Sequence, residues 1–272
     1  MLSDNVARET AQMRAGEKVE AMIESKCNGQ ILTITFNAPE RLNALTTEDC
    51  IELSNIWDIY EADDNLRVAV ITGTGRAFCA GHDLADDFST PLPDTGWGGL
   101  AHRQTMNKPI IAAVNGLAVG GGWEIALACD LVIADETARF GLPEALVGYA
   151  ALGGGASLLP LRMPWHMAMR YLLTGEIMDV HEAQRWGLVS DIAPLGTSLQ
   201  VANRYAQAII AGAPVSIKAT KSVARAAVEP ATANEAVYQL SMEWFHRIRK
   251  MNDAKEGEAA FREKRKPNWT GT

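Results

Sequence analysis

Between Leu117 and Asp130 the chain reads LAVGGGWEIALACD: three consecutive glycines precede a lone carboxylate, Glu124, in an otherwise apolar stretch. A carboxylate is costly to bury, and glycines are poor helix formers. Together they suit one kind of chemistry. Glycine lets a ligand approach the backbone closely, and the first N–H groups of a helix have no intrahelical partner. With the helix dipole behind them, those amides stabilise negative charge on a nearby atom. Glu124, one turn into the helix, can face the same atom as a base. The competing reading is structural: glycines for close strand–helix packing, and Glu124 as a helix cap.

Two further segments bear on the choice. AFCAGHDL, from Ala77, ends a strand in a second glycine turn and offers another amide at His82. FGLPEALVG, from Phe140, carries a second isolated carboxylate, Glu144, in an apolar loop. Two amides could hold a carbonyl whose oxygen becomes an enolate, while two carboxylates move protons at the neighbouring carbons.

The elements that must position these groups follow from patterning. Ile31 to Phe36 alternates and is rich in β-branched residues, which predicts a strand. Thr46 with Asp49 predicts a capped helix to about Glu61, with Ile51, Leu53, Ile56, Ile59 and Tyr60 near one face. Residues 67–72, 109–114 and 131–134 read as buried strands, 138–141 as a short one, and the glycine turn opens a helix to about Ala128. Residues 85–105, with two prolines and several glycines, predict a surface loop or lid. From Ser157 onward the pattern is helical, interrupted by a brief strand in LVSDIAP and ending in three longer helices. Alternating strands and helices argue for an α/β body with a helical C-terminal portion. No internal repeat is visible, and residues 1–20 read as an N-terminal arm.

Composition narrows the classes of function. The chain has 272 residues and a formal net charge of −8, without a dense basic patch interleaved with aromatics, which argues against nucleic-acid binding. Cys27, Cys50, Cys79 and Cys129 are scattered, so neither a zinc site nor a disulfide framework is expected, and a reducing cytoplasmic setting is. The apolar region 110–134 is broken by Asn115, glycines, Glu124 and Asp130, and reads as buried core rather than a membrane span.

With the motifs taken in order, the chain resembles the enoyl-CoA hydratase/isomerase (crotonase) superfamily. The match covers about residues 25–270 and runs through ITFNAPERLNAL, VAVITGTGRAFCAGHDL, KPIIAAVNGLAVGGGWEIALACDLVIA, ARFGLPEALVG, LLTG, EAQRWGLV and AFREKRKPNW. The resemblance implies a spiral of ββα units over residues 21–200 and a helical trimerisation region over 201–272, assembled as a trimer or a dimer of trimers. It implies an oxyanion hole from the N–H groups of His82 and Gly121, with Glu124 and Glu144 as the catalytic pair. Glu40, Arg41 and Leu42, with Ala80, Gly81, Asp83 and Leu84 of the AGHDL loop and Gly120, match the family's coenzyme A surface. Phe261 and Lys264 match a C-terminal pair that contacts coenzyme A, often from a neighbouring subunit. Neither a metal nor a separate cofactor is implied, coenzyme A being part of the substrate.

Retention of both glutamates favours hydration or dehydration of an enoyl-CoA. Isomerisation or thioester hydrolysis on the same scaffold is the alternative, and a non-catalytic acyl-CoA- or RNA-binding relative is the alternative from another class. The assignment taken here gives Glu124 the water and Glu144 the α-proton; the sequence permits the reverse. His82 is expected to contribute only its N–H, Trp123 and Asp130 to be structural, and His102 and His166 to be surface or packing residues. Lys108, Lys218 and Lys221 are expected on the surface or at coenzyme A phosphates. Ala150-Ala151 stand where the family has Ile/Val-Pro before a glycine turn, here an extra-flexible GGG. RWGLV, His82 after AG and the KRKPNWTG ending are similar to carnitinyl-CoA dehydratases, whose trimethylammonium group would call for a cage. Trp97, Trp123 and Tyr149 are the candidates for it.

Overall fold

A computed structural model describes residues 22–86, 89–103, 105–228, 239, 242–243 and 245–268. The expected arm over residues 1–20, and Val237, Leu240 and Trp269, lie outside the described residues. Strands β1 (Ile23–Asn28), β2 (Ile31–Phe36), β3 (Val68–Gly73), β5 (Ile110–Val114), β7 (Leu131–Asp135) and β10 (Asp191–Ala193) form one sheet in the order β1-β2-β3-β5-β7-β10. The short strands β4 (Ala77–Cys79), β6 (Leu117–Val119), β8 (Arg139–Gly141) and β9 (Met178–Asp179) form a second. All pairings are parallel except β1 with β2 and β8 with β9.

The chain therefore spirals. Each pair β3/β4, β5/β6 and β7/β8 places a long strand in the first sheet and a three-residue strand in the second. This is a structural repeat with no visible sequence repeat.

The long strands read as continuous apolar runs because both faces of their sheet are covered. Alternate residues point opposite ways. Val68, Val70, Ile111, Ala113 and Ile133 pack against Ala202 and Ala206 of α6 (Ser198–Ile210), whereas Ala69, Ile71, Ala112 and Val114 enter the main core. The division expected at residue 200 thus falls within a helix that covers the sheet.

Helix α1 (Thr47–Ala62) starts at the expected capping box, Thr46 accepting from Asp49 N and Asp49 from Thr46 N. Such a cap stabilises a helix by about 0.5–2 kcal/mol. Its buried stripe is Cys50, Leu53, Trp57 and Tyr60, at helical spacing, while Ile59, expected on the inner face, is 66% exposed. Helix α2 (Gly121–Ala128) follows the glycine turn, α3 (Gly155–Arg162) and α4 (Trp165–Thr174) break at Met163–Pro164, and α5 (Val180–Arg185) is capped by Asp179.

Two lysines expected at the surface or at phosphates tie helices to the body instead. Lys108 is buried, its Nζ donating to the carbonyls of Tyr60 (2.7 Å) and Asp63 (2.6 Å). Lys221, on α7 (Pro214–Val228), donates to Lys108 O and Asp130, and Asp130 also accepts from Ile110 N. The region 85–105 departs from the expected surface loop: Trp97, Gly98, Gly99 and Leu100 are buried against α1 and α2. Among the described residues no helix is long and apolar enough to cross a membrane, and all four cysteines are free.

Candidate active site

The three glycines between β6 and α2 divide their labour. Gly120 (φ +55) makes the turn and donates to Gly141 O at 2.9 Å. Gly122 serves packing, since a Cβ there would come within 2.0 Å of Cys79 O. Gly121 begins the helix, so its N–H has no intrahelical acceptor. The packing reading of the GGG holds at Gly122. The capping role does not: Glu124 accepts from Gly155 N at 2.9 Å instead.

The second turn lies directly against the first. Gly81 (φ +91) approaches so closely that a Cβ would sit 2.9 Å from Gly121 N and 3.0 Å from Val119 O. A parallel bridge joins Leu45 to His82 through Leu45 N to Gly81 O and Asp83 N to Leu45 O, both 2.8 Å. That bridge turns the His82 peptide N–H away from Leu45. The His82 ring meets Asp86 through Nε2 at 3.2 Å and packs edge-on against Trp97, and burial lowers its pKa. Asp86 is itself committed to Thr47 at the start of α1.

The Glu40–Leu42 segment is stapled to the same loop. Ala80 N donates to Leu42 O at 2.9 Å, and Arg41 pairs with Asp83 at 2.7 Å. Asn43, buried and with φ +57, fixes the junction by accepting from Ala38 N and donating to the carbonyls of Thr74 and Ala77. Leu84 is half-buried beside it and Glu40 is exposed. Except for Phe261 and Lys264, the expected site residues therefore belong to one neighbourhood. Those two lie on α8 (Asn252–Glu263): Phe261 is 61% exposed, and Lys264 ends the helix with φ +53.

The two carboxylates differ. Glu124 is buried, with Oε1 held by Gly155 N, and a Cβ on Gly153 would lie 2.4 Å from Oε2. Burial raises its pKa to about 7, against the backbone hydrogen bonds from Gly155 and Gly153. Glu144 opens a 3-10 turn, Glu144–Val147, and both its carboxylate oxygens are buried without a partner among the described residues. Burial, and then the charge of Glu124, raise its pKa well above the usual carboxylate range. Such an environment favours the protonated acid. Its Oε1 stands by Gly120, where a Cβ would be 3.4 Å away. The arrangement can stabilise an oxyanion, accept one proton and deliver another.

Two features that the sequence left without a place support the site. The GGG at 153–155 is a close-fitting cradle for Glu124 rather than a flexible turn. Trp97 reaches the site from the presumed lid: a Cβ on Gly121 would lie 2.2 Å from its Nε1, and one on Gly153 2.9 Å from its Cβ. Of the cage candidates, Trp123 packs on Phe140 (centroids 4.4 Å apart) and the Tyr149 hydroxyl bonds Glu258. Trp97 alone of the three touches the glycine turn.

The chain is 40% identical to an (E)-benzylidenesuccinyl-CoA hydratase of Thauera aromatica, over 90% of this chain and 97% of that one. It is 37% identical to a carnitinyl-CoA dehydratase of Proteus mirabilis, over 89% and 96%. The crystal structure of a carnitinyl-CoA hydratase from Mycobacterium avium superposes with a TM-score of 0.86 at 37% identity, over 92% and 99% of the two chains. Residues 26–272 match the enoyl-CoA hydratase/isomerase pattern, so the two abutting glycine turns and the paired glutamates sit on the scaffold of that family, to which this chain belongs.

Proposed function

We propose that this protein adds water reversibly across the α,β double bond of an enoyl-CoA thioester. The observation that carries the reading is the pair of buried carboxylates beside the glycine turn, one hydrogen-bonded by backbone amides and the other without partners among the described residues. Relatives named as CoA hydratases and dehydratases, at 35–40% identity over about nine-tenths of the chain, support it.

The thioester carbonyl accepts from the N–H groups of His82 and Gly121. Charge gathers on that oxygen as water attacks Cβ, and losing one such donor typically costs about 2.7–4 kcal/mol of transition-state stabilisation. Glu124, kept nearer to ionisation by its backbone donors, takes the proton of the attacking water. Glu144, kept protonated by burial and by the charge of Glu124, delivers a proton to Cα. Atoms balance: H and OH are added, and nothing is oxidised or reduced, so the chemistry calls for no redox cofactor. Coenzyme A enters as part of the substrate, over the surface formed by Glu40, Arg41, Leu42, Ala80, Gly81, Asp83 and Leu84, with Phe261 and Lys264 closing it.

The working assembly in this reading is a cytoplasmic homotrimer or dimer of trimers joined through the C-terminal helices. Val215 (77% exposed) and Val223 (70%) on α7 supply apolar surface for that contact. Light scattering showing a fully active monomer at nanomolar concentration would overturn the assembly.

The decisive assay offers a panel of enoyl-CoA thioesters and follows loss of the conjugated absorbance. Hydration of at least one supports the reading. Double-bond migration or free thiol without hydration would move the assignment to an isomerase or a thioester hydrolase.

A further inference from the structure

Two buried polar groups without partners among the described residues flank the glycine turn. One is the Glu144 carboxylate, beside Gly120; the other is the indole N–H of Trp97, beside Gly121. An unmet buried donor is costly, and in a native protein it calls for an explanation. Trp97 is only 5% exposed, and its side chain runs from Gly153 to Gly121. Nε1, Cε2 and Cζ2 lie over Gly121, Cβ lies against Gly153 beside Glu124, and the ring centroid is 5.8 Å from that of His82.

The turn that carries Trp97 is held on every side. Gly96, Gly98 and Gly99 have φ of +77, +60 and +66, a conformation that other residues rarely adopt. Gly98 O accepts from Trp57 Nε1 at 3.0 Å, Gly98 N donates to Cys50 Sγ, and Gly99 O accepts from Arg103 Nε at 2.8 Å. A Cβ on Gly99 would come within 2.6 Å of the Ser54 backbone. The same turn thus satisfies one indole, that of Trp57, and leaves another N–H unmet at the site. A donor held this firmly is preorganised for a ligand.

We propose that Trp97 selects acyl groups that carry an oxygen acceptor on C4 and orients them by a hydrogen bond from Nε1. The inference rests on the reading of the site as an enoyl-CoA hydratase. With the thioester carbonyl on the Gly121 amide, Glu144 and Glu124 serve C2 and C3. The next carbon then meets the indole edge that lies over Gly121. The substrate class is therefore γ-oxygenated enoyl-CoA rather than a plain alkyl chain. A site built to bond such an oxygen discriminates against the analogue lacking it.

The test uses the whole protein and two near-isosteric saturated ligands, 4-hydroxybutyryl-CoA and pentanoyl-CoA, with dissociation constants measured by calorimetry. Trp97→Phe keeps a ring but removes the donor. Replacement of Trp97 by benzothienylalanine keeps the bicycle as well, and decides the matter if the Phe variant folds poorly. The preference for the hydroxylated ligand should fall about three- to tenfold in the donor-free proteins, the range of one neutral hydrogen bond. A preference unchanged within about twofold in both overturns the inference, whatever the turnover. If neither thioester binds the wild type and no enoyl-CoA is hydrated, it is the hydratase reading that fails, and this inference falls with it.

Discussion

Gly155 N donates to Glu124 Oε1 at 2.9 Å, at the first residue of the helix that follows the second glycine cluster. A carboxylate that accepts backbone hydrogen bonds is favoured in its ionised form, which offsets part of the cost of burial. Glu144 has no such donor among the described residues and feels the charge of Glu124 besides. Glu124 therefore ionises first. Because the two titrate as a pair, the assignment is a statement about which proton leaves first. The free enzyme should be competent when Glu124 is charged and Glu144 is protonated. Accordingly kcat/KM should rise through about pH 7 and fall again at higher pH, where Glu144 loses its proton. Initial rates across about pH 5 to 10 check this, and a profile already flat below pH 6 would contradict it.

The division of roles is separable by isotope exchange. Glu124→Gln and Glu144→Gln should each lower kcat by about 10²–10⁴ while thioester binding stays nearly intact. A saturated acyl-CoA in heavy water should exchange its α-hydrogen slowly in the wild type and in Glu124→Gln, but not in Glu144→Gln. The opposite pattern would mean that the two glutamates trade places.

The same burial sets a stability cost. Both glutamates have folded-state pKa values raised above the ordinary 4.5, so the stability tied to them is full below about pH 4.5 and declines as pH rises. For Glu124 the decline runs to about 7, and for Glu144 it continues beyond. Glu144→Gln removes one titrating group and its repulsion of the other. The variant should melt close to the wild type near pH 4.5 and above it at pH 8, with each 1 kcal/mol showing as about 2–4 °C in a chain of this size. Thermal melts of the ligand-free proteins at both pH values decide it. A variant that melts lower than the wild type at pH 8 would show that Glu144 is not held protonated by burial.

Much of this site was legible before the fold was known, and for physical reasons. Glycine turns at strand ends and isolated carboxylates in apolar segments are conspicuous at Gly121, His82, Glu124 and Glu144, since each violates the composition around it. The capping box at Thr46 and the buried strands β3, β5 and β7 announce themselves through local chemistry. Other features depend on distant partners and leave no local mark. β1 buries only Ile23 of its six residues, so it carries no alternating pattern. The strands of the second sheet are too short for a period to show, which is why the spiral has no visible repeat. Trp97 sits in a Gly/Pro-rich stretch that resembles a surface loop, and only the packing of Gly98 and Gly99 on Ile125 and Ser54 turns it inward. Lys108 and Lys221, expected at the surface or at coenzyme A phosphates, are internal ties instead, because a lysine that reaches two carbonyls, or a carbonyl and a carboxylate, is locally indistinguishable from a solvated one.

The resemblance gives the C-terminal helix, through Phe261 and Lys264, a role in coenzyme A binding. The packing of α8 adds a second role. Gly257 lies against the Glu144–Val147 turn so tightly that a Cβ would come within 2.2 Å of Val147 O and 2.4 Å of its carbonyl carbon. From the other side, a Cβ on Gly148 would meet Asp253 O at 2.6 Å. Tyr149, just beyond the turn, donates its hydroxyl proton to Glu258 on the same helix. Backbone pressed on backbone cannot yield as a flexible side chain can, so Gly257→Ala must push α8 and the Glu144 turn apart. A displacement of about 1 Å at a reacting group can cost on the order of 10²-fold in rate. Gly257→Ala should therefore lower kcat by about 10- to 100-fold with the sheet signal in circular dichroism unchanged, since α8 packs on the Glu144 turn rather than between the sheets. Lys255→Ala, on the exposed face of α8, should leave kcat within about twofold of the wild type. If Gly257→Ala retains wild-type kcat and only its thioester affinity falls, α8 serves binding alone and Glu144 needs no support from it.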